Sequence, residues 1–358
     1  MDRWLQRAHG GQNRALVSVI FLVFSLVFSS FAVGMPAYPG PVAEQQPDGS
    51  NIELRIRGDE HFNWLEDANG YTVIQQNGWF QYAQLDQNGN LTSTGANVGQ
   101  ASPQALGLQK RILPSPAIQA QSGLNMPVMS GNDVSAEVPP LGTVKNLVVM
   151  VRFSNHTTRT QPSQADVDVL MNSAAPDPVL APTGSVKAVY LENSYGQMTL
   201  ESTVLDWITV SNTEQYYANG NSGDSTLWEA LRDALDIADA TIDFNDFDTD
   251  NDGFIDSITF LHSGYGAEWG GNDAFGTNYV DRIWSHRWSI QPSWLSDEGV
   301  RVGAYHISPG VWGTSGSAIG RIGVIAHETG HFFGLPDLYD TDGSGSGIGS
   351  WGMMANSW

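Results

Sequence analysis

The chain has 358 residues, long enough for about two domains at roughly 150 residues each. It carries 16 Lys and Arg against 38 Asp and Glu, a net charge of −22, and that balance repels nucleic acid and anionic membranes. There is no cysteine, which excludes disulfides, a thiol nucleophile, a thiolate metal site and a lipid anchor on Cys, and leaves metal ions as the natural staple.

In chain order, the N-terminus reads as an export signal. Arg3, Arg7 and Arg14 precede an apolar run, Ala15 to Phe28, and Ser30-Phe31-Ala32 offers small residues where a signal peptidase reads. The competing reading is a membrane anchor, since a span needs about 20 apolar residues and the run stretches toward Met35. The expectation is a signal over 1–32, a secreted or extracellular product that transits the periplasm where there is one, and no membrane contact after cleavage.

Residues 36–109 are expected to form a small β-rich unit. Asn51 to Arg57 alternates as a half-buried strand does, and Tyr71 to Gln75 and Trp79 to Leu85 are further strands. Asn69-Gly70, Asn77-Gly78 and Asn88-Gly89 are hairpin turns. Residues 110–142, rich in Ala, Ser, Gln, Gly and Pro, read as a linker with Lys110-Arg111 as an exposed basic pair.

A domain over 143–358 follows. Leu147 to Phe153 is a continuous apolar strand, and Met198 to Val204 and Ser257 to Leu261 are others. Leu227, Leu231, Ala234, Leu235 and Ala238 fall at helical spacing after Asp224 and Ser225, and a second helix is expected from about Ala318 to Phe333. Strands mixed with helices predict an α/β or α+β fold.

The string His327-Glu328-Thr329-Gly330-His331 lies on that second helix. Residues four apart share a helix face, so His327 and His331 offer two imidazoles to one zinc ion at about 2.0–2.1 Å. Glu328, one step round, reaches a zinc-activated water without binding the metal and serves as general base in peptide hydrolysis. Gly334 suits the left-handed residue that ends the helix. The chain then doubles back, bringing Asp337 in as oxygen ligand, with Asp340 as its substitute. Met354, ahead of Met353, is expected to floor the metal as a methionine turn. The bland readings are a helix with two accidental histidines, an Asp337 that caps a turn and methionines that fill a core.

Asp248-Thr249-Asp250-Asn251-Asp252-Gly253-Phe254-Ile255-Asp256 matches the front of a calcium loop. Its ligands would be Asp248, Asp250, Asp252, the Phe254 carbonyl and Asp256, with Ile255 plugged into the core. The twelfth position is Thr259 where a helix–loop–helix site has Glu, so this is a calcium loop on another scaffold, with Glu268 a candidate to complete it. The alternative is a plain polar turn. His262, His286 and His306 are more often structural, with His286 the best of them for a cleft, and Tyr339 could donate to a developing oxyanion.

The segment from His327 to Trp358 resembles the immune inhibitor A family of secreted bacterial zinc metallopeptidases. The resemblance extends to Ser194-Tyr195-Gly196, the Asp248 loop, His262-Ser263-Gly264 and Ile283-Trp284-Ser285-His286. It also takes in Gln46-Pro47-Asp48-Gly49, Arg57-Gly58-Asp59-Glu60 and Gly70-Tyr71 in the front segment. It implies a zincin-like endopeptidase acting on protein or peptide substrates, with a β-rich prosegment. Its metal pair falls on His327 and His331, its base on Glu328, its third ligand on Asp337 and its methionine on Met354. Family domains run on past the methionine turn, so the C-terminal part of the catalytic domain is expected to be missing here. With no Cys to cap the zinc, prosegment restraint would come from steric cover or from a carboxylate such as Asp59 or Glu60; a folding aid is the alternative. Two rivals to proteolysis are a metal-stabilised adhesion or binding module that makes no use of Glu328, and an enzyme cutting a non-peptide amide.

Overall fold

The computed structural model describes residues 33–122, 138–340, 345 and 347–355; the signal expected over 1–32 lies outside them. The strands in chain order are β1 (Val33–Gly34), β2 (Val42–Gln45), β3 (Asn51–Gly58), β4 (Asn63–Asp67), β5 (Thr72–Gln76), β6 (Trp79–Leu85), β7 (Leu91–Asn97), β8 (Gly142–Arg152), β9 (Met198–Val204), β10 (Ile208–Thr209), β11 (Ser257–His262), β12 (His286–Leu295) and β13 (Arg301–Pro309). The helices are α1 (Pro116–Ser122), α2 (Gln164–Asn172), α3 (Val186–Asn193), α4 (Glu214–Ala218), α5 (Leu227–Asp239) and α6 (Ile322–Gly330). The architecture is mixed α and β in two sheets, and Phe31–Trp358 is one compact unit.

The front sheet is an antiparallel meander, β2-β3-β4-β5-β6-β7. Asn77 and Gly78 both take positive φ, +52° and +82°, the tight turn that a two-residue hairpin with right-twisted strands demands. Ile52, Leu54, Tyr71, Val73, Phe80 and Tyr82 face a common core. Gln46 is buried and clips this sheet, donating to the carbonyls of Phe80 and Val98 and accepting from the Phe80 amide, all at 3.0 Å.

The second sheet runs β1-β12-β13-β11-β8-β10, with β9 also on β8. β8, β9, β10, β11 and β13 are parallel, and β12 turns antiparallel against β13. Helices cover both faces, which is why β8 is continuously apolar from Leu147 to Val151. Leu147, Val149, Val151 and Phe153 pack toward α5, whereas Val144, Val148 and Met150 pack toward α2, α3 and α6. Among the described residues no helix is long and apolar enough to cross a membrane.

Three expectations need correction. The second helix begins at Ile322, not near Ala318; β13 runs to Pro309 and the chain between them turns through non-helical residues, with Gly320 amide bonded to the Gly310 carbonyl. The linker stretch holds helix α1, and β8 starts at Gly142, inside that stretch. Helix α5 starts after Thr226, which makes no side-chain cap; Asp224, in the turn before it, accepts the Thr226 amide and the Asn219 side-chain amide.

Phe260 sits at the centre of the second sheet, fully buried and edge-on to Tyr305 at 6.0 Å. Phe260→Ala is expected to lower stability by about 3–5 kcal/mol, through lost transfer energy and an uncollapsed cavity. Urea unfolding of the full chain followed by Trp fluorescence measures this, and a loss below about 1 kcal/mol would mean that the sheet centre repacks freely.

Candidate metal centre

Helix α6 is buried on almost every side from Ile322 to Gly330, because it lies between the second sheet and the chain that returns after it. It has no side-chain cap at its start. Tyr190 of α3 ties it from the side, its hydroxyl donating to the Ala326 carbonyl at 2.5 Å. At the other end the chain tightens into a 3₁₀ turn over His331–Phe333, then reverses at Gly334, whose φ of +71° is left-handed as expected.

The two histidines are oriented by backbone. His327 Nδ1 is 2.9 Å from the Met353 carbonyl, and His331 Nδ1 is 2.8 Å from the Leu335 carbonyl. A carbonyl oxygen only accepts, so each Nδ1 carries a proton, and a neutral ring held this way presents a bare Nε2. Those nitrogens face Asp337 Oδ1, at 2.9 Å from His327 and 3.5 Å from His331. None of the three atoms has a hydrogen-bond partner, although all are buried. Burial, and then His327, push the His331 pKa well down, so that ring is neutral. Lone pairs turned on a carboxylate oxygen repel unless a cation lies among them.

The three donor atoms lie within 4.8 Å of one another. Ligands about 2.0–2.1 Å from a tetrahedral zinc stand roughly 3.3 Å apart, so the donor set fits that ion. It also fits in kind, with two imidazoles and one carboxylate. Asp340, the substitute ligand, is not part of the group.

Glu328 is fully buried beside this centre, and neither carboxylate oxygen has a partner. Burial first, then the carboxylates of Glu60, Asp337 and Glu268, raise its pKa well above the usual carboxylate range, and Arg287 partly opposes them. Met354 is buried with its sulfur against Gly330: a Cβ placed there would meet Sδ at 2.6 Å. The Met354 carbonyl accepts the Leu338 amide at 2.7 Å, locking the returning chain under the helix. Tyr339 is buried and its ring lies nearly parallel to His327 at 6.0 Å.

The acidic loop is brought together only in part. Asp248, Asp250 and Asp252 converge, with Asp248 accepting the amides of Asp252 and Gly253, both at 3.0 Å. Asp256 instead accepts the hydroxyl and amide of Thr249, at 2.5 and 3.1 Å, and Phe254 bridges Arg301. Ile255 is in the core as expected. Glu268 does not complete this loop: it is fully buried elsewhere, accepting the Ser285 hydroxyl at 2.7 Å, close enough to raise the Glu328 pKa.

His286 is no open cleft residue. It is fully buried, donating to the Trp284 carbonyl at 2.7 Å and accepting from the Tyr305 hydroxyl at 3.0 Å. His262 accepts the Gly264 amide at 3.2 Å, and His306 Nε2 lies 2.8 and 3.1 Å from the hydroxyls of Thr259 and Thr329. Sequence reasoning missed the roles of Tyr190 and Arg287, which carry no motif signal; Arg287 stacks over Phe332 at 5.3 Å.

A helix that turns two imidazoles on a carboxylate from the returning chain, with an unpartnered glutamate beside them, is a donor set for a metal ion with a free carboxylate at its side. Residues 178–358 match the family described as Immune inhibitor A peptidase M6, catalytic domain, and the chain belongs to that family. It is 34% identical over 199 residues to Immune inhibitor A of Bacillus thuringiensis subsp. alesti, covering 47% of this chain and 28% of that protein. It is 29% identical over 213 residues to the pre-pro-metalloprotease PrtV of Vibrio cholerae, covering 49% of this chain and 21% of that one. The match thus spans about a quarter of the length of these relatives.

The buried histidines make a pH prediction. His262 and His306 are held neutral by burial, their pKa pushed down to about 3 from the usual 6.5. The unfolded chain binds protons that the folded chain refuses between those values. The contribution of these two histidines to stability is therefore full above about pH 6.5 and is lost as pH drops toward 3. His306→Gln should flatten that fall by up to one proton, roughly 1.4 kcal/mol per pH unit. Denaturant titrations across this range check it; an unchanged slope would mean that His306 titrates normally in the fold.

Proposed function

We propose that residues 143–358 form a zincin-like, zinc-dependent endopeptidase domain in which Glu328 is the general base. We further propose that 1–32 is a signal for secretion and 36–109 a prosegment. The observation that carries the reading is the convergence of the bare Nε2 atoms of His327 and His331 on Asp337 Oδ1, with Glu328 unpartnered next to them.

His327, His331 and Asp337 would hold the zinc, and Met354 would support the floor beneath them. Bound zinc supplies the positive charge that acidifies a water and polarises the scissile carbonyl. Glu328 takes the proton from the attacking water on its carboxylate and passes it to the departing amine nitrogen. Burial keeps the carboxylate free of competing hydrogen bonds, and the metal's charge would offset the three neighbouring carboxylates that raise its pKa. The Nδ1 bonds to Met353 and Leu335 keep both imidazoles from rotating during turnover. Proteins or peptides are the substrates this chemistry fits.

Glu328→Gln in the full chain should keep zinc and lose at least about a thousandfold in peptide hydrolysis, as expected when a positioned base is removed. His331→Ala should lose the zinc itself. Near-normal hydrolysis by the first variant, or full zinc content in the second by metal analysis, would sink the mechanism.

The reading includes a structural calcium on Asp248, Asp250 and Asp252, supported by their convergence. Calcium that binds only the folded chain raises its stability by RT ln(1 + [L]/Kd). Added calcium should therefore raise the melting temperature of the wild type and not of Asp250→Ala. Equal responses would reduce the loop to a turn.

The front sheet fits a prosegment because its β3–β4 turn is buried against the second sheet, with Asp59 and Glu60 both 4% exposed. The Vibrio relative is itself described as a pre-pro-metalloprotease.

A further inference from the structure

A thread of polar side chains crosses the second sheet inside its apolar core. It starts where Asn146 Nδ2 on β8 donates to Ser202 Oγ on β9 at 3.1 Å. Asn146 Oδ1 accepts the hydroxyls of Ser257 at 3.0 Å and Thr259 at 3.2 Å, both on β11. Thr259 Oγ1 lies 2.8 Å from His306 Nε2 on β13, and the same nitrogen lies 3.1 Å from Thr329 Oγ1 on α6. Asn146, Ser257, Thr259, His306 and Thr329 are all fully buried.

The protons along this thread follow from what each partner can donate. The Thr259 hydroxyl is committed to Asn146, and the Thr329 hydroxyl donates to the Ile325 carbonyl at 2.7 Å. Neither is left to donate to the ring, so His306 Nε2 carries the proton and shares it between the two hydroxyl oxygens. The thread thus ends by gripping a side chain of α6 from the centre of the sheet.

Thr329 directly follows Glu328, about 100° further round the helix. Glu328 accepts no hydrogen bond of its own, so its carboxylate is aimed by the rotation of α6 as a whole. Little else on α6 is directional. The helix start has no side-chain cap, Ile322, Ile325 and Ala326 meet the core through apolar contact, and Tyr190 holds a backbone carbonyl. A side-chain tip about 6 Å from a helix axis moves about 1 Å when the helix turns by about 10°. A misplacement of about 1 Å can cost about a hundredfold in rate.

Resting on the zinc-peptidase reading above, we propose that Thr329 is a positioning residue, which His306 holds so that α6 keeps the one rotation that aims Glu328 at the attacking water. The Thr329 hydroxyl takes no part in the reaction; it acts through the helix. The bonds behind His306 keep the ring from turning, so the aim of the base is referred to the middle of the sheet. A hydroxyl that only stabilised the fold would lower stability when removed and leave turnover by the folded molecules unchanged.

The test compares Thr329→Val and Thr329→Ser with wild type in the full chain, by steady-state peptide hydrolysis, zinc analysis and denaturant unfolding. Thr329→Val should keep its zinc, hold KM within about twofold and lose at least about tenfold in kcat, the split expected when only the transition state is affected. Thr329→Ser keeps the hydroxyl and should stay within about threefold of the wild-type kcat. Thr329→Ala, which cannot crowd the ring, should show the same loss and serves if the valine variant does not fold. A wild-type kcat in the folded valine or alanine variant overturns the proposal, and so does a serine variant as slow as valine. Loss of zinc from Thr329→Val also overturns it, because the hydroxyl would then serve the metal site and not the aim of the base. Hydrolysis that survives Glu328→Gln sinks the base itself, and its positioning falls with it. Hydrolysis that depends on Glu328 and not on Thr329 sinks the positioning alone.

Discussion

Two hydrogen bonds from imidazole to backbone govern the rest of this structure. His327 and His331 each give the Nδ1 proton to a carbonyl, of Met353 and of Leu335, and so aim a bare Nε2 at one point. For those carbonyls to be there, the chain must leave α6, reverse at Gly334, and come back beneath the helix. The left-handed Gly334, the Met354 sulfur against Gly330 and the Leu338–Met354 backbone bond are all consequences of that return. Asp337 reaches the centre because it lies on the same reversal.

The second governing fact is electrostatic. Glu328 is a fully buried carboxylate and Asp337 a mostly buried one, beside imidazoles of which His331 is held neutral. Isolated buried carboxylates cost several kcal/mol each unless they are protonated or paired. In this chain the pairing charge would come from a divalent ion, whose own field reverses the local pKa logic. The site therefore makes chemical sense as a metal centre and poor sense without one.

What the sequence disclosed followed the range of the interactions. The spacing of His327 and His331, one helical turn apart at the end of α6, is local, and Asp337 follows within two turns of chain, so the convergence of the three is legible in the sequence. The β8 strand was legible because burial on both faces writes a continuous apolar run. The start of α6 was misplaced because Ala318 to Arg321 has helical composition but is held in a turn by the Gly310 carbonyl, a contact that no periodicity records. Glu268, a candidate to complete the acidic loop, is held instead by Ser285 on the lead into β12, a pairing that spacing along the chain does not record. His286 looked like a cleft residue from its flanking tryptophans, yet the Tyr305 hydroxyl closes it into the core. Asp59 and Glu60 could be named as carboxylates suited to restraint, but their burial depends on a sheet far away in the chain, and only the folded structure carries it.

The central claim is that two imidazoles and oxygen donors hold one zinc on α6 and its return. Zinc K-edge X-ray absorption on the purified full chain tests it most directly. The account predicts one zinc per chain with two imidazole nitrogens, oxygen making up the remainder at about 2.0–2.2 Å, and one oxygen fewer from protein in Asp337→Ala. A third imidazole in the coordination shell, or a spectrum unchanged by Asp337→Ala, would contradict it.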